Sequence, residues 1–455
     1  MVSAFQLGLI LTVALGSTTY GYCSSIIATT LGQPSFVHYF HLDTDSNANS
    51  LIGAVNGLFQ AGGLFGSLSS QYIPDKWGRK AALYIGAIIC VVGGTLQTGS
   101  VHIAMFLVAR LITGFGIGAL VGLVPLYQSE VSPTHLRGFL VGLHGVMICI
   151  GYTSASWIGV GFYFVQGNLS QWRGPLGFPI LFPLVLLCAL PFVPESPRWL
   201  LTRSRKDAAL KAFRKVHDSG VKVMNAEHEV AVQEEFRLLA AQTAQEMKNH
   251  VPLKDFFLVP SSRKRCLVGF ATMFAAQGTF TLVINIFGFV GTVTALVGAC
   301  GTVVSYNKTG SRSTAAAAVF FLFWHITMFC VSVDATTYIY ASEIFPTPLR
   351  ARGIGISITG LFVATIIFLQ VAPTAFAAII GYYYLVGAGV TIFFAILAYF
   401  YFPETKNLSL EDVAEVFGDN ITLEDPEEEA IHRRFREGHY RETAIAPQGR
   451  RWPCI

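Results

Sequence analysis

Two ionisable residues, Arg110 and Asp334, interrupt long apolar runs, and any chemistry inside those runs has to start from them. A charged side chain at the centre of a membrane-spanning helix costs roughly 2.5–3.5 kcal/mol on insertion scales, so it persists where it pairs, relays a proton or meets a polar ligand. Asp334 stands four residues before Tyr338, which places both on one helical face, with the Thr336 and Thr337 hydroxyls close enough in sequence to satisfy the carboxyl instead. The eight cysteines (Cys23, Cys90, Cys149, Cys188, Cys266, Cys300, Cys330 and Cys454) show no CxxC or Cys/His spacing, and most lie in apolar runs. They read as small buried hydrophobes, so no metal site, disulfide framework or cofactor is implied. No nucleophile and base pair speaks for a membrane enzyme.

The elements that hold these residues are set by composition. With 53% hydrophobic and 13% charged residues and a mean hydropathy of +0.53, the 455-residue chain lies far outside soluble composition and reads as a polytopic membrane protein. Each crossing takes roughly 20 apolar residues as helix, because hydrocarbon cannot satisfy open backbone groups. The net charge of +4 gives no reason to expect nucleic acid.

Apolar runs at 4–28, 51–71, 81–98, 103–127, 139–164 and 175–193 give six spans. The first is read as a span and not a signal peptide, since no Lys or Arg precedes Lys76 to form a basic leader. Basic residues follow the second span (Lys76, Arg79, Lys80) and the fourth (Arg137), while 30–50 and 99–102 have none. The positive-inside rule then makes those loops and the N-terminus cytoplasmic. Asn168-Leu-Ser170 falls on the opposite side, as a glycan acceptor or a chance tripeptide.

Two charged elbows organise the chain. Glu130-Val-Ser-Pro133-Thr-His-Leu-Arg137-Gly138 is repeated as Glu343-Ile-Phe-Pro346-Thr-Pro348-Leu-Arg350-Ala-Arg352-Gly353, the sign of two similar halves. Between them the span count fails. Residues 266–304 are continuously apolar, about 59 Å as helix or nearly two bilayer cores, before runs at 315–341, 354–378 and 379–402. Two crossings in 266–304 would put the second elbow on the opposite side from the first. An odd number keeps both on one side and Asn307-Lys-Thr309 on the other, for ten or eleven spans in all.

With the elbows, Asp75-Lys-Trp-Gly78-Arg79, Arg110-Leu-Ile-Thr-Gly114-Phe-Gly116-Ile-Gly118, Pro194-Glu-Ser-Pro-Arg198 and Pro403-Glu404-Thr405-Lys406 taken in order, the chain resembles the sugar porter family of the major facilitator superfamily. The resemblance runs nearly end to end, and the lead through Gly32-Gln33-Pro34-Ser35-Phe36 is most similar to the fungal branch. It implies an all-α polytopic fold of two pseudo-symmetric bundles, nominally 12 spans and here 10–11. The expected parts are a six-helix bundle at 1–193, a cytoplasmic helical linker at 194–265, an incomplete second bundle at 266–402 and a cytoplasmic tail at 403–455. It further implies alternating access for a hexose or related monosaccharide or polyol, in the plasma membrane.

The resemblance also assigns roles. Asp75, Arg79, Glu130, Arg137, Glu195, Arg198, Glu343, Arg350 and Glu404 fall at cytoplasmic helix ends, where opposite charges would latch the halves. Arg110 matches an arginine that pairs, in proton-coupled relatives, with a first-span aspartate; that position here is Cys23, whose thiol stays neutral in apolar surroundings. Facilitated diffusion is therefore expected, with proton symport through Asp334 as the other route. Tyr338 replaces a site-lining tryptophan, His144 stands beside the fifth-span substrate position, held by Gly145, and of the seventh-span motif only Ala276-Gln277-Gly278 remains. Substrate contacts are thus expected at Gln277, Tyr338, His144 and Asp334. Two blocks are missing against the family pattern, the outer half of span seven and the stretch from the loop after span eight through most of span nine. A shortened and inactive transporter, or a non-transporting sensor, are the competing expectations.

Overall fold

A computed structural model of the chain describes residues 4–44, 47–70, 72–132, 136–165, 169–217, 226–248, 259–276, 284–328, 337–338, 340–341, 344–345, 347–401 and 417. These form helices α1 (Ala4–Val13), α2 (Leu15–Leu31), α3 (Pro34–Tyr39), α4 (Ala48–Ser69), α5 (Ile73–Trp77), α6 (Arg79–Thr98), α7 (Ile103–Val131), α8 (Arg137–Tyr163), α9 (Ser170–Gly177) and α10 (Leu181–Ala189). There follow α11 (Pro197–Thr202), α12 (Lys206–His217), α13 (Ala226–Lys248), α14 (Pro260–Ala276), α15 (Ile284–Thr309), α16 (Arg312–Met328), α17 (Thr347–Ile379) and α18 (Tyr383–Tyr401). Nine segments among the described residues are long and apolar enough to span a bilayer, six of them before residue 193. The fold is all-α and multi-pass. Residues 1–407 form one compact unit and 408–455 a second, of which Phe417 alone is described.

The polarity is that of a membrane protein. Phe65, Phe139, Trp157 and Phe192 are exposed on the outside, whereas Ser17, Thr18, Thr19, Gln60, Gln128 and His144 are buried. Glycines let the spans approach. A Cβ at Gly62 or Gly66 of α4 would meet the Leu111 or Phe115 carbonyl of α7, and one at Gly114 or Gly118 would meet the carbonyl of Phe59 or Gly63. This is small-residue packing at the four-residue spacing visible in the sequence.

Neighbour contacts also fix the helix directions after residue 259. Gly269 of α14 faces Ser357, and the backbone at Phe270 and Phe274 faces Gly360, so α14 runs parallel to α17. Leu296 of α15 lies at Gly387 and Val303 at Gly381, so α15 runs antiparallel to α18 and hence parallel to α17. Gly291 against Met328 and Gly298 against Phe321 make α16 antiparallel to α15. Thus α14 and α15 point the same way and do not form an opposed pair of crossings. That is how the apolar stretch 266–304 leaves the start of α17 at the same end as the first elbow, with residues 307–309 at the other end. Along α4, Gly63 faces the Phe362 ring and Gly53 and Gly57 face the Gln370 amide, so α17 lies against α4 over most of its length.

Candidate functional site

At one end of the spans the charged residues converge. Gly78 joins α5 to α6 with φ 100° and ψ 161°, a backbone conformation open to glycine, and a side chain there would strike Glu195 and Trp199. This turn brings Asp75 and Arg79 to the foot of α7. The Arg79 guanidinium donates to Glu130 from Nε (3.0 Å to Oε2) and Nη2 (2.8 Å to Oε1), and from Nη1 to Asp75 Oδ1 (3.1 Å) and the Pro74 carbonyl (2.9 Å). The Glu130 side chain is fully buried and that of Arg79 nearly so. A buried pair of this kind is held only when its remaining valences are met; here they are, and the Ser196 hydroxyl also bonds Glu130.

Glu195 holds the other side of the turn. Its carboxylate accepts the backbone N–H groups of Arg79 (3.0 Å), Lys80 (3.2 Å) and Ser196 (2.9 Å), capping the N-terminus of α6. Trp199 Nε1–H and an Arg203 N–H donate to the Asp75 carbonyl, which ties α11 to the same turn. Burial pushes the Glu195 carboxyl above the ordinary glutamate range, against the opposing pull of the Ser196 and Lys80 N–H groups. Burial likewise raises Asp75, against Arg79 and Arg352.

The second elbow reaches this cluster. Arg350 is an electrostatic neighbour of Glu130, and Arg352 of Asp75. Arg350 is 1% exposed and donates from Nε to the Phe345 carbonyl at 3.3 Å. The acids before α6 and at the end of α7 therefore face arginines from the start of α17. Arg198, in α11, is buried nearby.

Mid-span, Arg110 of α7 meets no carboxylate among the described residues. Its Nε donates to the Val55 carbonyl (3.2 Å), its Nη1 to the Cys23 carbonyl (3.3 Å), and its guanidinium carbon lies 4.1 Å from the Phe59 ring centroid. The position that would supply an acid offers a backbone carbonyl and a buried thiol.

Nearer the middle, His144 of α8 and Tyr338 meet edge to face, their ring centroids 4.4 Å apart and planes at 72°. Both are at most 2% exposed, and His144 Nδ1 shares a 2.7 Å hydrogen bond with Ser17 Oγ of α2. Helix α8 and the segment before the second elbow thus touch through a polar ring and a phenol, the groups that recognise hydroxyl-rich ligands by hydrogen bonding and stacking.

The structure brings Asp75, Arg79, Glu130, Glu195 and Arg350 together at one end and His144 with Tyr338 deeper in. Gln277, Asp334, Glu343 and Glu404 lie outside the described residues, as does the side chain of Arg137. Ser17, Ser196, Trp199 and Arg352 are partners that residue-type reasoning passed over. Arg352 carries a signal in its place in the repeated elbow, and Ser196 in the Pro194-Glu-Ser-Pro-Arg198 motif.

The family model described as sugar (and other) transporter matches residues 9–290 and 283–417. The MFS-type transporter criB of Aspergillus cristatus is 29% identical, over 89% of this chain and 91% of its own length. The sugar transporter STL1 of Saccharomyces cerevisiae is 27% identical, over 88% and 79%. Among solved structures, the E. coli proton:xylose symporter XylE bound to 6-bromo-6-deoxy-D-glucose superposes with a TM-score of 0.72 at 19% identity, over 91% of this chain and 99% of that one. That likeness gives the fold, the major facilitator arrangement, and the family match over most of the length gives the rest: this chain belongs to the sugar (and other) transporter family.

Proposed function

We propose that the protein carries a monosaccharide or polyol across a membrane by alternating access. The observation that carries this reading is the meeting of the two elbows: Glu130 and Asp75 from the early spans face Arg350 and Arg352 from the late ones at a single end. Such a contact closes that end while it holds and opens it when the two sets of spans rock apart. Asp75, Arg79, Glu130, Arg137, Glu195, Arg198, Glu343, Arg350 and Glu404 form the gate, and the positive-inside pattern makes it cytoplasmic in a plasma-membrane protein with both termini inside. Residues 1–193 and 266–402 are the two moving bundles, 194–265 their linker and 403–455 the tail. His144 and Tyr338 line the substrate site with Gln277 and Asp334.

Arg110 rests on the carbonyls of Cys23 and Val55, which supports facilitated diffusion, because no carboxylate stands against it among the described residues to take up a proton. The family match falls into two pieces that meet at 283–290, inside the region whose spans do not count, which supports a chain shortened in spans seven to nine. Sequencing the transcript tests that: a message encoding a longer chain refutes a shortened product. Uptake of labelled hexoses, pentoses and polyols in a host lacking its own carriers tests the transport reading. Entry of at least one is expected; entry of none, with the protein at the cell surface, overturns it in favour of an inactive or sensing protein.

A further inference from the structure

Two lysines meet where α6, α12 and the end of the sixth span come together. The Lys80 ammonium donates to the Pro191 carbonyl at 3.1 Å and the Lys215 ammonium to the Phe192 carbonyl at 2.9 Å, adjacent residues of one 3-10 turn (Leu190–Phe192). The two ammonium groups are electrostatic neighbours. Each has three N–H donors and one is used, so donors remain on two like charges that repel unless an anion sits between them. The acid at hand, Glu195, is already bonded to the backbone N–H groups of Arg79, Lys80 and Ser196, and one carboxylate does not balance two cations.

The depth is marked by Phe192, 75% exposed directly beside the lysines, and the surface above it on α6 and α10 is apolar, with Ile88, Val92, Leu184 and Val185 turned outward. Lys215 comes from outside the spans, on α12, whose Ala209, Ala212 and Val216 are buried while Lys211 and Arg214 remain exposed beside it. An apolar wall above a pair of ammonium groups fits an amphiphile with an anionic head. We propose that Lys80 and Lys215 bind the phosphate of an anionic glycerophospholipid, its acyl chains lying against α6 and α10. Because Lys80 follows Arg79 directly and Lys215 lies beyond the linker's first turn, such a lipid would fasten α12 to the turn that carries the gate. The inference requires a bilayer around the spans and does not depend on sugar transport.

The test is titration of the purified full chain with phosphatidylserine and with phosphatidylcholine, read by native mass spectrometry as the dissociation constant of the first bound lipid. The wild type is expected to prefer phosphatidylserine. Lys80→Gln and Lys215→Gln should each weaken that binding about fivefold, the worth of one lysine near an anionic surface, while the double Lys→Arg variant retains it and Lys308→Gln, at the opposite end of the spans, leaves it unchanged. Equal affinity of the wild type for both lipids overturns the proposal, and so does a double glutamine variant that binds phosphatidylserine like the wild type. Competition by micromolar inorganic phosphate would reassign the site to a soluble anion and overturn it too. Should the double variant not survive purification, Lys215→Gln alone decides, since its side chain lies exposed on α12.

Discussion

Replacing Glu130 by glutamine separates the two jobs of that carboxylate. Loss of one partner from a buried ion pair costs roughly 3–5 kcal/mol, and the Arg79–Glu130 pair at 2.8 Å is such a pair. Both residues belong to the early spans, however, so that cost falls equally on the open and closed gate and cancels from their ratio. What differs between the states is the share of Glu130 that faces Arg350. Glu130 and Arg350 attract as charges through the protein, which is worth about 1–2 kcal/mol at an effective dielectric constant near 20. About 1.4 kcal/mol is tenfold in a population. Glu130→Gln is therefore expected to raise the open fraction about tenfold. The assay is the rate at which a membrane-impermeant maleimide, added from the gate side, labels a cysteine placed at Ser70, buried between α4 and α7 behind the turn. Arg350→Gln should give the same increase, and the double variant little more, because both remove one interaction. An unchanged labelling rate in Glu130→Gln, or fully multiplicative effects in the double variant, would refute the reasoning.

Other consequences are as direct. Gly78→Ala places a side chain at φ 100° and against Glu195; about 1–3 kcal/mol of strain is expected, seen as a lower midpoint in thermal unfolding. Gly66→Ala drives a methyl into the Phe115 carbonyl and should lower stability by about 1–3 kcal/mol through overpacking, whereas Gly138→Ala, with open space around it, should leave the midpoint within measurement error. The Glu195 carboxyl sits above its ordinary value in the folded protein. Its contribution is accordingly full below the unfolded glutamate pKa and is lost as pH rises through the raised one. The wild type should thus lose stability relative to Glu195→Gln as pH rises above the unfolded glutamate value of about 4.3, and a difference that is flat or of opposite slope in thermal scans refutes it. Cys23→Asp would set a carboxylate beside Arg110; uptake by that variant should become sensitive to a proton gradient, measured against the wild type in the same vesicles.

The sequence made some of this legible and some not, for physical reasons. The glycines at 62, 66, 114 and 118 were readable as packing because helix contact depends on local spacing. The elbows were readable because the same charges recur in the same order, and requiring both at one end located the irregular stretch before the structure gave α14 and α15 a common direction. The partners of Arg110 were not readable. They are backbone carbonyls, which every residue has, so the absence of an acid at Cys23 said what was missing and not what replaced it. Nor did Ser17 signal its bond to His144, since pairing across two spans leaves no mark in either one. In sequence Lys80 is part of a basic loop, and its nearness to Lys215 appears only once α12 is folded back on the turn.

The most direct measurement of the central claim uses purified protein in proteoliposomes, with a labelled sugar or polyol outside and a proton gradient imposed or collapsed. The account predicts saturable entry that stops at equal concentrations on both sides and proceeds at the same rate in either condition. Accumulation above the external concentration that follows the gradient would contradict the facilitated-diffusion account, and absence of any saturable entry would contradict the transporter itself.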